Sequence, residues 1–182
     1  HGDDEIFSME QFTEWFNLDH LTASAAQFNP EKLAWLNNHY IKLADNERLA
    51  GLARLVLERE GARFEGAPAL PAVIALVKDR ANTINELADT AMLFYREPKP
   101  DAALLAQHLT DAVRPALATF AEGCKEVEWN KAAIAAMFKE VLAAHGLKMP
   151  QIAMPLRLIV TGQLQTPAID AVLELFGRDI VL

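Results

Sequence analysis

Signals that start and stop helices recur along the whole chain, and they constrain its fold more than any other feature. The segment Ser8–Gln11 has the pattern of a capping box, and the segment Asn29–Glu31 supplies an N-cap residue, a first-turn proline and a first-turn acid in that order. Asp45 is placed to cap a third helix, which Gly61 is placed to stop. Patterns typical of strands are almost absent, so the sequence predicts an all-α fold of about nine or ten helices.

The same signals divide the rest of the chain. An apolar stretch predicts a short helix over Ala72–Lys78, and Thr83 with Glu86 has the pattern of a second capping box, for a helix through Phe94. The run Arg96–Pro100 contains two prolines, cannot continue a helix and is the best boundary between subdomains. Beyond it, alanine-rich stretches predict helices over 101–108, 111–121 and 130–144, the last of which Gly146 stops. A further helix is predicted to be kinked or restarted by Pro155 and ended by Gly162. The last helix is predicted to be opened by Thr166-Pro167 and stopped by Gly177.

Composition and charge limit the class of protein. With 182 residues, of which 52% are hydrophobic, the chain can bury a real core in one domain or two small ones. Its formal net charge of −8 argues against indiscriminate binding of nucleic acid and against an anionic membrane surface. Residues 1–19 hold six of the 25 acids and no Lys or Arg, so the remainder is nearly neutral and has room for a local positive surface.

Cysteine content and the start of the chain bear on its compartment. Cys124 is the only cysteine, so one chain has neither a disulfide framework nor a cysteine-based zinc site, which fits a reducing cytosol. No apolar run reaches the roughly 18 residues that a membrane span needs. The acidic start does not have the pattern of a signal peptide. We therefore expect a cytoplasmic protein, and because the chain begins at His1 without Met we expect a piece of a longer one.

One window stands out for its charge. From Val141 to Ile169 there is no Asp or Glu, while His145, Lys148 and Arg157 fall within it. A basic-leaning segment in an acidic protein is where an anionic partner can approach. Arg157 is a lone charge in an apolar run, so it must reach an internal carboxylate, point outward or await an anionic partner.

Catalytic motifs are missing, which leaves binding as the function that the residues themselves indicate. There is no Gly-rich phosphate loop, no nucleophile elbow and no His pair at metal-binding spacing, so we expect no catalytic residue, metal or cofactor in this chain. Arg80 ends the triplet Lys78-Asp79-Arg80 after an apolar helix, where an Arg either favours the helix macrodipole or presents its guanidinium to a base or phosphate. Thr166-Pro167 is either a simple helix start or a set of free N–H donors for nucleic acid.

Two well-separated stretches resemble one known family. Phe28–Lys42 resembles the stretch that follows the catalytic domain in bacterial-type glutamyl-tRNA synthetases, and His1–Phe7 resembles the sequence just before it. Met154–Gly162, with Thr166-Pro167, is similar to the closing anticodon-binding segment of that family, and the similarity extends through Leu175–Arg178. The matches come in the family's order, which makes the resemblance specific. The resemblance covers essentially the whole chain.

The resemblance implies the C-terminal part of a glutamate–tRNA ligase, which ligates glutamate to its tRNA using ATP. The family's catalytic Rossmann domain would precede His1, so ATP and Mg²⁺ would belong to that missing domain and this fragment would be inactive alone. The implied fold is an α-helical stem-contact region over residues 1–62, followed by anticodon-binding subdomains over 63–97 and 98–182. The implied partner is tRNA(Glu), with no DNA and no membrane, and the implied state is a monomer.

The resemblance also assigns residues. Arg80 falls where discriminating family members place an Arg that reads the third anticodon base, while Arg157, Thr166 and Pro167 match the segment around the first two bases. Ile169 stands where some members have Leu and should keep an apolar contact with a base face. Pockets that receive splayed bases, with Arg at the base edges, are the usual means of reading single-stranded RNA. The alternatives are a helical protein-interaction module without RNA binding and, in third place, an autonomous enzyme.

Overall fold

The computed structural model describes residues 5–20 and 27–182. In this part of the chain the regular secondary structure is all helical, without a strand. The prediction of an all-α fold is confirmed. Residues 1–4 of the His1–Phe7 stretch, which include Asp3 and Asp4, lie outside the described residues. The α-helices are α1 Met9–Trp15, α2 Pro30–Leu43, α3 Asn46–Arg59, α4 Leu70–Val77, α5 Ile84–Ala91, α6 Ala102–His108, α7 Val113–Glu126, α8 Lys131–His145, α9 Met149–Thr161, α10 Ile169–Phe176 and α11 Arg178–Val181, with 3-10 helices at Leu18–His20, Lys78–Arg80 and Met92–Phe94.

Two compact units divide the chain, residues 1–30 and residues 31–182. In the first unit the predicted capping box is present, since the Ser8 hydroxyl accepts from the Gln11 N–H at 3.2 Å and the Gln11 side chain accepts from the Ser8 N–H at 2.9 Å. Phe7 stacks on Phe12 at 6.1 Å and meets Trp15 edge-on at 5.7 Å. Helix α1 has no buried residue.

The second unit contains the hydrophobic core. Helix α3 packs on α4 and α5, α7 packs on α8, α8 packs on α10, and α9 packs on α6 and α7. Leu57, Ile74 and Leu87 are fully buried in the first group, and the rings of Phe120 and Phe138 stack at 4.2 Å in the second. All five side chains belong to one connected cluster of buried residues. The domain boundaries at 62/63 and 97/98 stay a prediction.

Local caps explain why several helices begin where the sequence predicts. Asp45 accepts from the Arg48 N–H at 3.1 Å, and Asp101 and Asn130 cap α6 and α8 in the same way. Thr83 accepts from the Glu86 N–H, but the Glu86 carboxylate returns to the Asn82 N–H at 2.8 Å instead of to Thr83. The helix that follows is α-helical only to Ala91 and continues to Phe94 as a 3-10 helix.

Several predicted boundaries differ from the structure. Helix α7 begins at Val113 instead of Asp111, without a side-chain cap, and runs on to Glu126. Helix α9 runs without interruption through Pro155, a buried residue, so this proline does not restart a helix, and a kink at this position stays a prediction. Helix α10 begins at Ile169 instead of at Thr166-Pro167, so this dipeptide lies in the preceding loop.

The end of α9 lies against the Arg96–Pro100 loop. Gly162 follows α9 with φ +73°, a left-handed conformation that L side chains rarely adopt. A Cβ at this position would lie 2.9 Å from the backbone nitrogen of Lys99. The predicted break in helix structure at residues 96–100 is confirmed. The absence of a Cβ at Gly162 lets this loop lie against the end of α9.

The start of α8 is tied to α10 by an aromatic residue. The indole N–H of Trp129 donates to the carbonyl of Leu173 at 3.1 Å. The guanidinium of Arg178 lies 5.6 Å from the Trp129 ring and donates to the carbonyl of Val127. These contacts join α10 and α11 to the loop between α7 and α8.

Candidate nucleic-acid interface

Arg80 stands at the corner between α4 and α5, and amide side chains from α2 hold that corner in place. The Asn38 side chain donates to the carbonyl of Ala81 at 2.7 Å and to that of Asp79 at 3.3 Å, and Asn37 donates to the carbonyl of Asn82. The backbone of the corner is therefore bonded to a neighbouring helix on both sides of Arg80. The Arg80 side chain itself is exposed.

Lys78, two residues before Arg80, serves the fold. Its ammonium group donates to the Ala44 carbonyl at the end of α2, at 3.1 Å. Of the two cations in the Lys78-Asp79-Arg80 triplet, Lys78 is thus occupied by a main-chain contact. Arg80 is the one that faces solvent.

Thr166 and Pro167 lie in the loop between α9 and α10. The Thr161 hydroxyl, at the end of α9, donates to the carbonyl of Arg157 at 2.8 Å and accepts from the Gln163 N–H at 3.2 Å, so it fixes the start of the loop. Thr166 donates to the carbonyl of Pro167 at 2.9 Å, and both residues are half-buried.

The corner and the loop face each other across a cleft of about 380 Å³. Arg80 lines it from the corner, and Thr166 and Pro167 line it from the loop, so residues far apart in the sequence share one site. We call this the Arg80 cleft. Its remaining lining residues are Leu76, Val77, Asp79, Thr90, Gln165 and Ala168.

The chemistry of the Arg80 cleft suits a flat heterocycle with polar edges. Arg80 donates hydrogen bonds only and Asp79 accepts them when ionised, while Gln165 can do both. Leu76 and Pro167, which are half-buried, supply apolar surface on which a ring face can lie. This combination of apolar cover and edge-directed polar groups is how proteins receive unstacked bases.

Two predicted site residues lie outside this cleft lining. Ile169 is the first residue of α10 and is 2% exposed, so its side chain belongs to the core. Arg157 is half-buried on α9, and its Nε atom is buried without a hydrogen-bond partner. In the part of the chain that the structure describes, the ion pairs are Arg54–Glu58 and Lys125–Glu122, so no carboxylate neutralises Arg157 there.

Thr90 and Gln165 line the cleft but were not identified from the sequence. Thr90 is an exposed residue near the end of α5, where its hydroxyl donates to the Glu86 carbonyl at 3.0 Å. Gln165 precedes Thr166 in the loop. Nothing in helical periodicity marks either residue, and only the adjacency of Gln165 to Thr166 gave a signal that could have found it.

Within residues 5–20 and 27–182, no group of three or more His, Cys, Asp and Glu side chains is arranged to hold a metal ion. Over the same residues, no helix is both long and apolar enough to cross a bilayer.

Sequence comparison identifies the family. The sequence model of the family described as "Anticodon binding domain" matches residues 33–182. This chain belongs to the anticodon-binding domain family. The Arg80 cleft and the loop with Thr166 both lie within the matched part.

The relatives of this anticodon-binding domain confirm the resemblance seen in its sequence. It is 73% identical to a glutamate–tRNA ligase of Janthinobacterium sp. (strain Marseille) and 71% identical to one of Herminiimonas arsenicoxydans, in both cases over its whole length. In both comparisons it spans 39% of the length of the relative. A crystal structure of a glutamate tRNA ligase from Elizabethkingia meningosepticum, in complex with its amino acid, superimposes with a TM-score of 0.83 over 98% of this chain and 36% of that chain. At 24% identity this likeness shows the shared all-α fold.

Proposed function

We propose that this chain recognises the anticodon of tRNA(Glu) as the non-catalytic C-terminal part of a glutamate–tRNA ligase. The observation that carries the proposal is the Arg80 cleft, in which the residue expected to read the third base and two residues expected at the other bases line one surface. Membership of the anticodon-binding domain family and the names of the relatives support the same function.

Each residue has a role in this proposal. The Arg80 guanidinium donates to the edge of the third anticodon base, and Thr166 and Pro167 contact the first two. The Arg157 guanidinium donates to a base or phosphate of the same loop, and because its Nε is buried, that atom would reach RNA only after a local rearrangement. Ile169 is assigned an apolar contact with a base face, and since its side chain is buried, a base would reach it only after a local rearrangement of the loop.

The proposal extends to the organisation of the whole ligase. Residues 1–62 contact the tRNA stem, and residues 63–97 and 98–182 form the two anticodon-binding subdomains. ATP and Mg²⁺ bind in the remaining part of the ligase, which supplies the chemistry, and the enzyme acts as a monomer in the cytoplasm. This chain supplies specificity alone.

The test is a filter-binding comparison of stem–loops with the glutamate and the glutamine anticodon, using the wild-type chain and Arg80→Gln. A side chain that reads a base edge typically contributes about 1–3 kcal/mol of discrimination, so Arg80→Gln should shrink the difference between the two stem–loops by about 5- to 150-fold. The matched control is Arg114→Gln, an exposed arginine on α7 that does not line the cleft, which should leave the difference unchanged.

Two results would contradict the proposal. If the wild-type chain binds an unrelated stem–loop as well as the glutamate stem–loop, anticodon recognition is wrong. A protein-interaction module without RNA binding would then be the better interpretation. If discrimination is present but Arg80→Gln and Arg114→Gln behave alike, the assignment of the third base to Arg80 is wrong.

A further inference from the structure

A second cleft, of about 200 Å³, lies where the loop after α3 meets the Arg96–Pro100 loop. Arg63, Arg96 and Lys99 bring three cations to its lining, and Glu97 brings the one carboxylate. We call this the cationic cleft. Gly61 and Tyr95 complete it.

The three cations have no neutralising partner within residues 5–20 and 27–182. The ion pairs found there, Arg54–Glu58 and Lys125–Glu122, involve none of them. In a chain with a net charge of −8, three unpaired cations in one concave site make a local positive potential.

The backbone that carries these cations is fixed. The N–H of Arg63 donates to the Tyr95 carbonyl at 2.8 Å, which joins the two loops. Tyr95 is itself 2% exposed, and its hydroxyl donates to the Pro68 carbonyl at 3.0 Å. On the other side, the Lys99 backbone lies against Gly162. A site held in this way loses less conformational entropy when a ligand binds.

A third cleft, of about 430 Å³, adjoins the cationic cleft and is lined by residues close in sequence to some that line the Arg80 cleft. It shares Arg96, Glu97 and Lys99 with the cationic cleft, and its lining includes Gln163 from the loop that supplies Thr166. On α5, Asp89 lines this cleft and the next residue, Thr90, lines the Arg80 cleft. Its three carboxylates, from Glu60, Asp89 and Glu97, make it a poor phosphate site, so phosphates are expected at the cationic cleft.

We propose that the cationic cleft binds backbone phosphates of the RNA whose anticodon bases enter the Arg80 cleft. This inference rests on the proposed function. Arg63 and Arg96 offer planar guanidinium groups that can pair with phosphate oxygens in a bidentate manner, and Lys99 adds a point charge. The contact carries no sequence information and sets the position of the strand.

The test is the salt dependence of binding to the glutamate stem–loop, measured for the wild-type chain, Arg96→Gln and Lys99→Gln. Each lost phosphate contact on a single strand reduces the slope of log affinity against log salt by about 0.7. Both variants should show this reduction and should lose affinity for the glutamate and glutamine stem–loops by equal factors. The control Arg114→Gln should keep the wild-type slope.

The outcomes separate this inference from the proposed function. Slopes of Arg96→Gln and Lys99→Gln equal to that of Arg114→Gln overturn the phosphate site, while any anticodon preference of the wild-type chain remains. Loss of anticodon preference in these variants also overturns it, because a phosphate contact acts equally on all sequences. Far-ultraviolet circular dichroism of every variant ensures that the compared chains are folded.

Discussion

Arg157 and Arg178 each have a buried Nε atom, but the other contacts of their side chains differ. In both residues the Nε atom is buried without a hydrogen-bond partner. Arg178 also donates to the Val127 carbonyl and lies over the ring of Trp129, whereas no such contact holds Arg157 within the described residues. At the scale of single residues, this contrast separates an arginine that serves the fold from one available to a partner.

The substitutions Arg157→Met and Arg178→Met should therefore have different effects on the free energy of unfolding. A buried polar group without a partner costs about 1–3 kcal/mol, so Arg157→Met should leave the free energy of unfolding unchanged or raise it by up to that amount. Arg178→Met should lower it by about 1–2 kcal/mol, because a hydrogen bond from a charged group and a contact with an aromatic face are lost. Urea unfolding measures both.

Binding supplies the second half of the comparison. Arg157→Met should weaken binding of the glutamate stem–loop by about 10-fold or more, the cost of one strong charge-assisted contact. If Arg157→Met instead unfolds at a lower urea concentration and binds RNA like the wild-type chain, Arg157 serves the fold and its assignment to the anticodon is wrong.

At the scale of helices and loops, Gly146 and Gly162 form a matched pair. Both follow a helix in the left-handed conformation, at φ +65° and +73°. A Cβ at Gly146 would meet nothing within 4 Å, whereas one at Gly162 would meet the Lys99 backbone at 2.9 Å. The two positions thus share the conformational requirement and differ in the close approach of another loop.

Gly162→Ala should consequently cost more stability than Gly146→Ala. The left-handed conformation costs about 1–2 kcal/mol for an alanine at either position. The contact with the Lys99 backbone should add about 1–3 kcal/mol at Gly162 alone, since it forces two backbone segments apart. Equal changes in the urea midpoint for the two variants would show that the Arg96–Pro100 loop moves away freely.

Local chemistry explains which elements the sequence could predict. The caps at Ser8, Asp45 and Asn130 are contacts between residues three apart, so they can be read without knowing the fold. The local pattern at Pro155 fits either a kink or a restart, and the restart is excluded because α9 runs through this buried residue without interruption. The start of α10 was misplaced, since Thr166-Pro167 has the local pattern of a helix start while its residues lie in the loop before Ile169.

The candidate site was less predictable than the fold. Local patterns single out Arg80 and Thr166 as candidates and the family resemblance assigns them to anticodon bases, but no local pattern places them in one cleft. Their juxtaposition depends on α4, α5 and α10 packing together, which is long-range information. The cationic cleft was not foreseen either, because Arg63 and Lys99 lie in two loops whose meeting depends on the hydrogen bond from Arg63 to Tyr95 and on the approach at Gly162.

At the scale of the whole molecule, two buried weak acids govern how the fold responds to alkali. Burial raises the pKa of the Cys124 thiol to about 11 and that of the Tyr95 hydroxyl to about 12. Their usual pKa values are 9.0 and 10.0, so the folded chain keeps both protons to a higher pH than the unfolded chain does. Their contribution to stability is complete below pH 9 and is lost as the pH rises through 11 and 12.

We therefore expect the urea midpoint to fall as the pH is raised above about 9. Cys124→Ala should flatten the part of this fall that lies between pH 9 and pH 11, because the variant has no thiol to ionise in the unfolded state. Tyr95→Phe should flatten the part between pH 10 and pH 12, and it should also lower stability at all pH values through loss of the hydrogen bond to Pro68. A decline that is the same in both variants as in the wild-type chain would show that other groups cause it.

The three tryptophans make the parts of the molecule optically distinguishable. Trp15 lies against Phe7 in residues 1–30, Trp35 is 47% exposed on α2, and the Trp129 indole is bonded to the Leu173 carbonyl with Arg178 over its ring. Of the two tryptophans in residues 31–182, Trp129 should emit at the shorter wavelength. Its emission should shift to longer wavelength on unfolding, and this shift should report when α10 separates from α8. With Trp15 and Trp35 replaced by Phe, the intrinsic fluorescence of this chain would follow that one junction without an added label.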